Sequence, residues 1–343
     1  MKLYFTLTNG VNNSEIHLNM LRLCLKSARE NTSLDLYALY DGEIGDNSYN
    51  IFKENGVNVI LCKCSFADKL KKYYANSRFE GLLNSVERML GCFMKFDIAL
   101  YEKDDDVVLY SDIDTMFLKD IPKEAFNVKT LAAAPEVDKN FDIIKGNKYF
   151  SAGIMMLNIP ELTKRREKLF EMLDNNIQPY QECWDQGFFN ELYKNDFEPM
   201  GLEYNWKPYW GINDEAIIIH IHGLKLGSIT EKDIDITGNM QNRYTDAALG
   251  WLYYTMTAYR TLGINKDREI ANFAKFLTVA HKEMNKKQFA FSSFLIHFLY
   301  KATKNNKLFS KTNCLLKKKL IKRKLINEDL DNLFEQNGEW KLS

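Results

Sequence analysis

Along this chain, short apolar runs alternate with stretches of helical period. Leu3–Thr8 predicts a first strand, and Asn9-Gly10 the tight turn after it. Leu18, Leu21, Leu25 and Ala28 then fall at i, i+3, i+7 and i+10, one apolar stripe of a 3.6-residue period, which predicts a helix. Leu34–Tyr40 predicts a second strand closed by Asp41-Gly42, Ser48–Glu54 a helix stopped at Asn55-Gly56, and Val57–Cys62 a third strand. The order β-α-β-α-β is that of a parallel sheet covered on both faces. Ligands bind such sheets beyond the carboxyl ends of the strands, where Asn9, Gly10 and Asp41 would sit.

Further on, Phe79–Tyr101 is expected as one helix carrying Arg88 and Lys95, leading into the apolar strand Val107-Val108-Leu109-Tyr110. Ala132–Ala134 predicts a short strand. Tyr149–Asn158 predicts a buried one, in which Ser151-Ala152-Gly153 would let a ligand or another backbone approach closely. Pro160 opens a helix reaching about Leu173, and a second helix follows Trp184-Asp185-Gln186-Gly187-Phe188-Phe189-Asn190. Ile217–Ile221 is a continuous apolar strand. Past about Asp235 the pattern changes to long helical stretches at Asp246–Leu262, Asp267–Asn285 and Phe289–Lys304, so a boundary is expected between residues 1–235 and 236–343. No internal repeat or low-complexity segment is visible.

Composition narrows the class. With 343 residues, 45% hydrophobic and 13% aromatic, the chain can bury a large core. Its 46 basic residues balance 46 acidic ones, which argues against a nucleic-acid partner. The six cysteines (Cys24, Cys62, Cys64, Cys92, Cys183, Cys314) form no Cys-x-x-Cys pair, which argues against a zinc site or a disulfide framework. The N-terminus enters a strand directly and no 18-residue apolar span is present, so a cytoplasmic, reducing location is expected.

The candidate chemistry begins where the mid-chain strand ends in Asp112 and Asp114. Residues at i, i+2 on an extended backbone project from one side, and two acids aimed together suit Mg²⁺ or Mn²⁺, which takes one or two carboxylates and completes its shell with phosphates and water. A turn decorated with acids is the plainer alternative. His220 lies at another strand end, near Gly223 and Lys225. Strand ends of one parallel sheet converge on one rim, so this imidazole could join the acids and the lysine could meet a diphosphate; a satisfied core histidine is the alternative. His222 alternates to the opposite face and ranks second as a ligand. Arg88 and Lys225 could be solvated surface charges. Asp185 could simply start a helix. Trp206, Tyr209 and Trp210 could stack on an acceptor sugar or belong to the core.

The apolar strand into Asp112-Ile113-Asp114, the strand Phe150–Asn158, Trp184-Asp185-Gln186, and His220-x-x-Gly223 with Lys225 occur in an order that resembles glycosyltransferase family 8 over about residues 1 to 230. The family is the retaining group that includes bacterial lipopolysaccharide galactosyl- and glucosyltransferases and glycogenin. The resemblance implies a GT-A fold, a Rossmann-like, mostly parallel α/β sheet flanked by helices, here with a C-terminal helical appendage. It implies a retaining hexosyltransferase using UDP-galactose or UDP-glucose, a glycan or glycolipid acceptor such as lipopolysaccharide or capsule, and Mn²⁺ (or Mg²⁺) held by Asp112, Asp114 and His220. It places Thr8, Asn9, Gly10, Arg88, Asp112, Ile113, Ser151, Gly153, Gly223 and Lys225 around the donor, with Asp185, Gln186 and Lys225 in catalytic roles. The chain departs from the family at Ser151, where Asn is usual, at Lys225, which follows Gly223 by two residues instead of three, and in the first loop, which lacks the acidic-Asn-Tyr pattern.

Two rival readings remain at this stage. Asp112-x-Asp114 followed by Thr115 mimics the haloacid-dehalogenase phosphatase signature, although that motif normally opens its fold. A non-catalytic sugar-nucleotide-binding module is the other. Near the C-terminus, Lys311, Lys317, Lys318, Lys319, Lys322, Arg323 and Lys324 occur without an acid, which would attract an anionic membrane surface and seat the protein on its cytoplasmic face. The interleaved apolar residues recur every five positions and scatter around a helix, so a solvated helix is the alternative.

Overall fold

The computed structural model describes residues 1–12, 14–75, 86–137, 141–142, 149–179, 184–222 and 244–264. The chain follows the predicted alternation through the third strand, and a helix that the pattern did not predict comes after it. Strand β1 (Lys2–Thr8) leads through a single 3-10 turn to α1 (Glu15–Asn31), followed by β2 (Asp35–Asp41), α2 (Asn47–Glu54), β3 (Asn58–Leu61) and α3 (Ala67–Ala75). The helices start where side chains replace missing backbone acceptors: Asp46 accepts from Tyr49 N at 2.8 Å at the head of α2.

The expected continuous helix before β4 is broken. Among its described residues, α4 (Val86–Phe93) gives way to a 3-10 turn at Met94–Asp97 before α5 (Ile98–Tyr101). The turn is pinned by Asp97, which accepts from Ser65 N at 2.9 Å and from Arg166 Nε at 3.1 Å. It directs Lys95 inward. Then come β4 (Val107–Ser111), β5 (Thr115–Phe117), β6 (Leu131–Pro135), β7 (Phe150–Asn158), α6 (Ile159–Asp174), α7 (Asp185–Tyr193), β8 (Phe197–Pro199), β9 (Ile218–His220) and α8 (Tyr244–Leu262). Asn158 caps α6 by accepting from Glu161 N at 3.1 Å, with Pro160 in its first turn.

Seven strands form one sheet in the order β3-β2-β1-β4-β7-β6-β8, and β5 pairs with β9 separately. β7 alone runs against its neighbours. Alternation in β1 decides the two faces: Leu3, Phe5 and Leu7 join the cluster under α1 and α2, while Tyr4 joins the cluster under α3, α4, α6 and α7. Each fully buried Leu or Phe contributes roughly 1.5–3 kcal/mol against exposure.

β1 has β2 on one side and β4 on the other, so the chain reverses its direction of progress across the sheet between β1 and β4. Ligand crevices form at the carboxyl ends of strands at such a reversal. Thr8-Asn9 and Asp112 both sit there.

Two compact units are distinguished, residues 1–228 with 236–264, and residues 229–235 with 265–343. Although α8 follows residue 235, it belongs to the first unit and packs on the turn Pro208–Trp210 and on α1. Gly250 permits this, because a Cβ there would lie 2.1 Å from Pro208 O. The helices expected at Asp267–Asn285 and Phe289–Lys304, and the basic tail, lie outside the described residues. Among the described residues, no helix is long and apolar enough to cross a membrane.

Candidate functional site

The site is assembled by two backbone pairings. Asp112 N donates to Gly153 O at 2.7 Å, which lays the end of β4 against the small-residue segment of β7. Thr115 pairs with His220 in the β5–β9 ladder, and Ile221 N donates to Asp114 O at 2.8 Å. Residues more than a hundred positions apart are thereby brought side by side: one ligand atom from each of Asp112, Asp114 and His220 lies within 4.8 Å of the others. His220 Nε2 is 3.3 Å from Asp114 Oδ1. Its Nδ1 lies 2.9 Å from Asn205 Oδ1, an oxygen that can only accept, so Nδ1 carries a proton and Nε2 is the nitrogen that a cation would take.

Gly153 explains how the three fit together. A Cβ at this position would stand 2.4 Å from His220 Cε1 and 3.1 Å from Asp112 Oδ2. Two carboxylates and one neutral imidazole around a space kept open by a glycine are a fitting donor set for a divalent cation such as Mn²⁺ or Mg²⁺.

Beside this cluster lies a buried ammonium. Lys95 Nζ donates to Asp185 Oδ2 at 2.6 Å and to Ala152 O at 2.9 Å, and it is 3.2 Å from Asp112 Oδ1. Its residue is 1% exposed. Burial alone would lower its pKa, but Asp112 and Asp185 hold it well above the ordinary lysine value. Burial in turn pushes the Asp185 carboxyl up, partly offset by Lys95. Asp185 Oδ2 and the Lys95 ammonium, 2.6 Å apart, form a buried ion pair. Tyr110 donates to Asp112 Oδ1 at 2.6 Å and stays protonated, since burial and the Asp112 charge raise its pKa.

A cavity of about 530 Å³ holds this group, with Gln186, Ser151 and His222 also on its walls. Asp185 opens α7 as the plainer reading expected, and it still faces the cavity. Gln186 Oε1 accepts from Ala152 N at 3.1 Å while its Nε2 donates to Tyr149 OH at 3.4 Å. A second cavity of about 460 Å³ lies beyond β1 and β2, bounded by Thr8, Asn9, Gly10 and Asp41 and by the ion pairs Lys63–Asp41 and Lys71–Glu87.

Several expectations change. His222 lies at the same cavity as His220, their rings 5.4 Å apart, because β9 ends at His220 and the strand alternation ends with it. Trp210 is buried among Trp206, Tyr209 and Phe141, so of the three aromatics considered for sugar stacking only Tyr209 lines the cavity. Ile113 packs on the core and lines neither cavity. Arg88 belongs to α4, with its side chain outside the described residues, as are Gly223 and Lys225. Sequence reasoning passed over Lys95 and Asn205. The signal for Lys95 was a lone cation inside the apolar run Phe93-Met94-Lys95-Phe96. Asn205 carried none, because its role appears only when residues 205 and 220 meet.

The profile of glycosyl transferase family 8 matches residues 15–225. Among solved structures, the chain is similar to mouse xyloside xylosyltransferase 1 at 15% identity, covering 64% of this chain and 97% of that one with a TM-score of 0.48. It is similar to the galactosyltransferase LgtC, solved with donor and acceptor sugar analogues, at 16% identity, covering 65% of this chain and 87% of that one with a TM-score of 0.47. A third is the glycosyltransferase GlyE of Streptococcus pneumoniae at 20% identity, covering 67% of this chain and 56% of that one with a TM-score of 0.46. No curated protein matches the sequence. The family match does not favour the phosphatase or the non-catalytic reading.

Proposed function

Since the chain belongs to glycosyl transferase family 8 and is a glycosyltransferase, we propose that it moves a hexose, with retention, from UDP-galactose or UDP-glucose to a glycan or glycolipid acceptor such as lipopolysaccharide or capsule. The observation that carries this reading is the convergence of Asp112, Asp114 and His220 in one cavity with Lys95, Asp185 and Gln186. Asp112, Asp114 and His220 would hold Mn²⁺ or Mg²⁺, which when bound supplies neutralisation of the negative charge that develops on a departing diphosphate.

The remaining work falls to the chain's own groups. Lys95 fixes Asp185 and Asp112 in register with each other, so Asp185 can accept hydrogen bonds from donor-sugar hydroxyls through the carboxylate edge that Lys95 leaves open. Gln186 is clamped at both ends of its amide, a rigid wall instead of a mobile nucleophile. No side chain in this set is placed as a strong base, which suits a reaction whose leaving group is itself a good proton acceptor. The cavity beyond β1 and β2 suits the nucleoside, with Thr8, Asn9 and Gly10 along it. The basic run from Lys311 to Lys324 supports a seat on the cytoplasmic face of a membrane, and sedimentation of the intact chain with anionic liposomes, lost on truncation after Asn306, is the expected result.

The test of the reaction is a donor panel. Purified protein with Mn²⁺ and UDP-, GDP- and dTDP-sugars should release free UDP from a UDP-hexose and stop when the metal is chelated. Release of phosphate from simple phosphomonoesters, with no nucleotide released from any donor, would overturn the proposal.

A further inference from the structure

The cavity has a further wall that donor chemistry leaves unused. Lys207 follows Trp206, whose backbone is bracketed by β9: Trp206 N donates to Ile218 O at 3.0 Å and His220 N donates to Trp206 O at 2.8 Å. Lys207 is therefore fixed by the same frame as His220. Its side chain is 4% exposed, and its Nζ donates to Glu136 Oε2 at 2.6 Å. Burial would lower the Lys207 pKa, but Glu136 holds it raised, so the ammonium is kept. Glu136 N donates to Tyr149 O at 2.9 Å, and Tyr149 OH receives the Gln186 amide. On the other side Tyr209 OH lies 3.3 Å from His222 Nδ1. Contacts thus run from Gln186 to His220 around the cavity by way of the Glu136–Lys207 pair.

A buried ion pair is weak evidence for stability, since desolvation offsets most of its attraction and an apolar pair of similar volume does as well. This one opens onto the cavity. Among the described residues Glu136 accepts no hydrogen bond besides that of Lys207, which falls on Oε2 and not on Oε1. A diphosphate gains nothing from a carboxylate, whereas a carboxylate and an ammonium side by side accept from and donate to neighbouring hydroxyls while summing to zero charge. Trp184, 39% exposed, adds an apolar face on the same cavity.

We infer that Glu136, Lys207 and Trp184 form the acceptor subsite, and that the acceptor is an uncharged sugar residue presenting neighbouring hydroxyls to the ion pair and its C–H face to the indole. The inference rests on the glycosyl-transfer reading above and adds the chemistry of the acceptor. In the transfer, the acceptor hydroxyl oxygen bonds to the anomeric carbon as the anomeric bond to the diphosphate oxygen breaks, and the hydroxyl proton leaves with the diphosphate.

The experiment is a competition between methyl hexosides and the matching methyl hexuronides, using the full chain, Mn²⁺ and the sugar nucleotide that the wild type hydrolyses. The wild type should favour the neutral hexoside by at least about tenfold in kcat/KM. Glu136→Gln keeps the shape and removes one negative charge, so preference should shift toward the hexuronide by at least about tenfold; Lys207→Met should shift it the other way. A ratio of two acceptors on one enzyme cancels any general loss of fold or donor binding. An unshifted ratio in Glu136→Gln, a wild type that prefers the hexuronide, or one that hydrolyses donor yet transfers to neither acceptor overturns the subsite. A wild type that releases nucleotide from no donor overturns instead the transferase reading beneath it.

Discussion

Asp114 and Lys95 show how single side chains divide the work. Asp114 contributes a donor oxygen from a half-buried position, so its loss leaves packing intact. Asp114→Ala should lower hexose transfer at least roughly 10²-fold, the size of losing one preorganised stabilising group, while thermal unfolding stays near that of the wild type. Wild-type turnover in that variant would remove Asp114 from the ligand set. Lys95 is the opposite case, a cation sealed beneath two carboxylates. Lys95→Met leaves Asp185 buried without its partner, a loss on the order of 3–5 kcal/mol. The sign with pH follows from the raised Asp185 pKa: a buried acid whose folded pKa exceeds its unfolded value stabilises below the unfolded value and loses that contribution as pH rises. Urea unfolding should therefore show Lys95→Met further below the wild type at pH 8 than at pH 5. Equal deficits at the two pH values would mean that Asp185 is not the group left exposed to the change.

Elements carry the site only as far as they are anchored to one another, and α7 is hydrogen-bonded to β7 through Gln186 and Asn190. Asn190 accepts from Phe150 N at 2.8 Å and donates to Phe150 O at 2.8 Å, so its amide closes the end of the strand as a neighbouring strand would. Asn190→Ala orphans a buried backbone N–H and C=O, at about 1–3 kcal/mol for each group. It should also lower kcat by freeing Gln186 one turn earlier, measured as donor turnover together with a shift in the urea midpoint. A full loss of stability without any change in kcat would separate α7 from the chemistry. The same elements explain what the residue pattern revealed. Strands and helices up to β3 were legible because apolar period and turn residues agree there, as in Leu3–Thr8 followed by Asn9-Gly10, whereas α3 was not expected from the pattern. The acidic pair was legible as the end of an apolar strand, but His220 reaches it by another route than the one expected: β9 lies outside the seven-strand sheet and pairs antiparallel with β5, next to Asp114, instead of ending on a shared parallel rim. The break at Met94–Asp97 was not, since it is imposed by Ser65 and Arg166 from distant elements. The place of His222 was lost because alternation says nothing once a three-residue strand has ended.

For the whole molecule, balanced charge removes long-range repulsion near neutrality, so acid stability turns on individual buried carboxylates. Glu102 is the leading case. Its carboxylate accepts from Lys2 Nζ at 2.9 Å, Tyr4 OH at 2.8 Å, Asp104 N at 2.7 Å and Asp105 N at 2.9 Å, binding the first residues of β1 to the loop before β4. Burial would raise its pKa, but these donors outweigh it and hold the group at about 2 against an ordinary 4.5. At 1.36 kcal/mol per unit the shift corresponds to about 3 kcal/mol of stability. A depressed carboxylate gives that stability above its ordinary value of 4.5 and gives it up as pH falls through about 2. β1 and β4 flank the reversal point of the sheet, and this cluster ties their amino ends together, opposite the ends that carry Thr8 and Asp112. Glu102→Gln should therefore be destabilised by roughly 3 kcal/mol at neutral pH, with its deficit shrinking as pH drops from about 4.5 toward 2. Unfolding curves that stay parallel to the wild type across that range would assign the acid transition to another carboxylate.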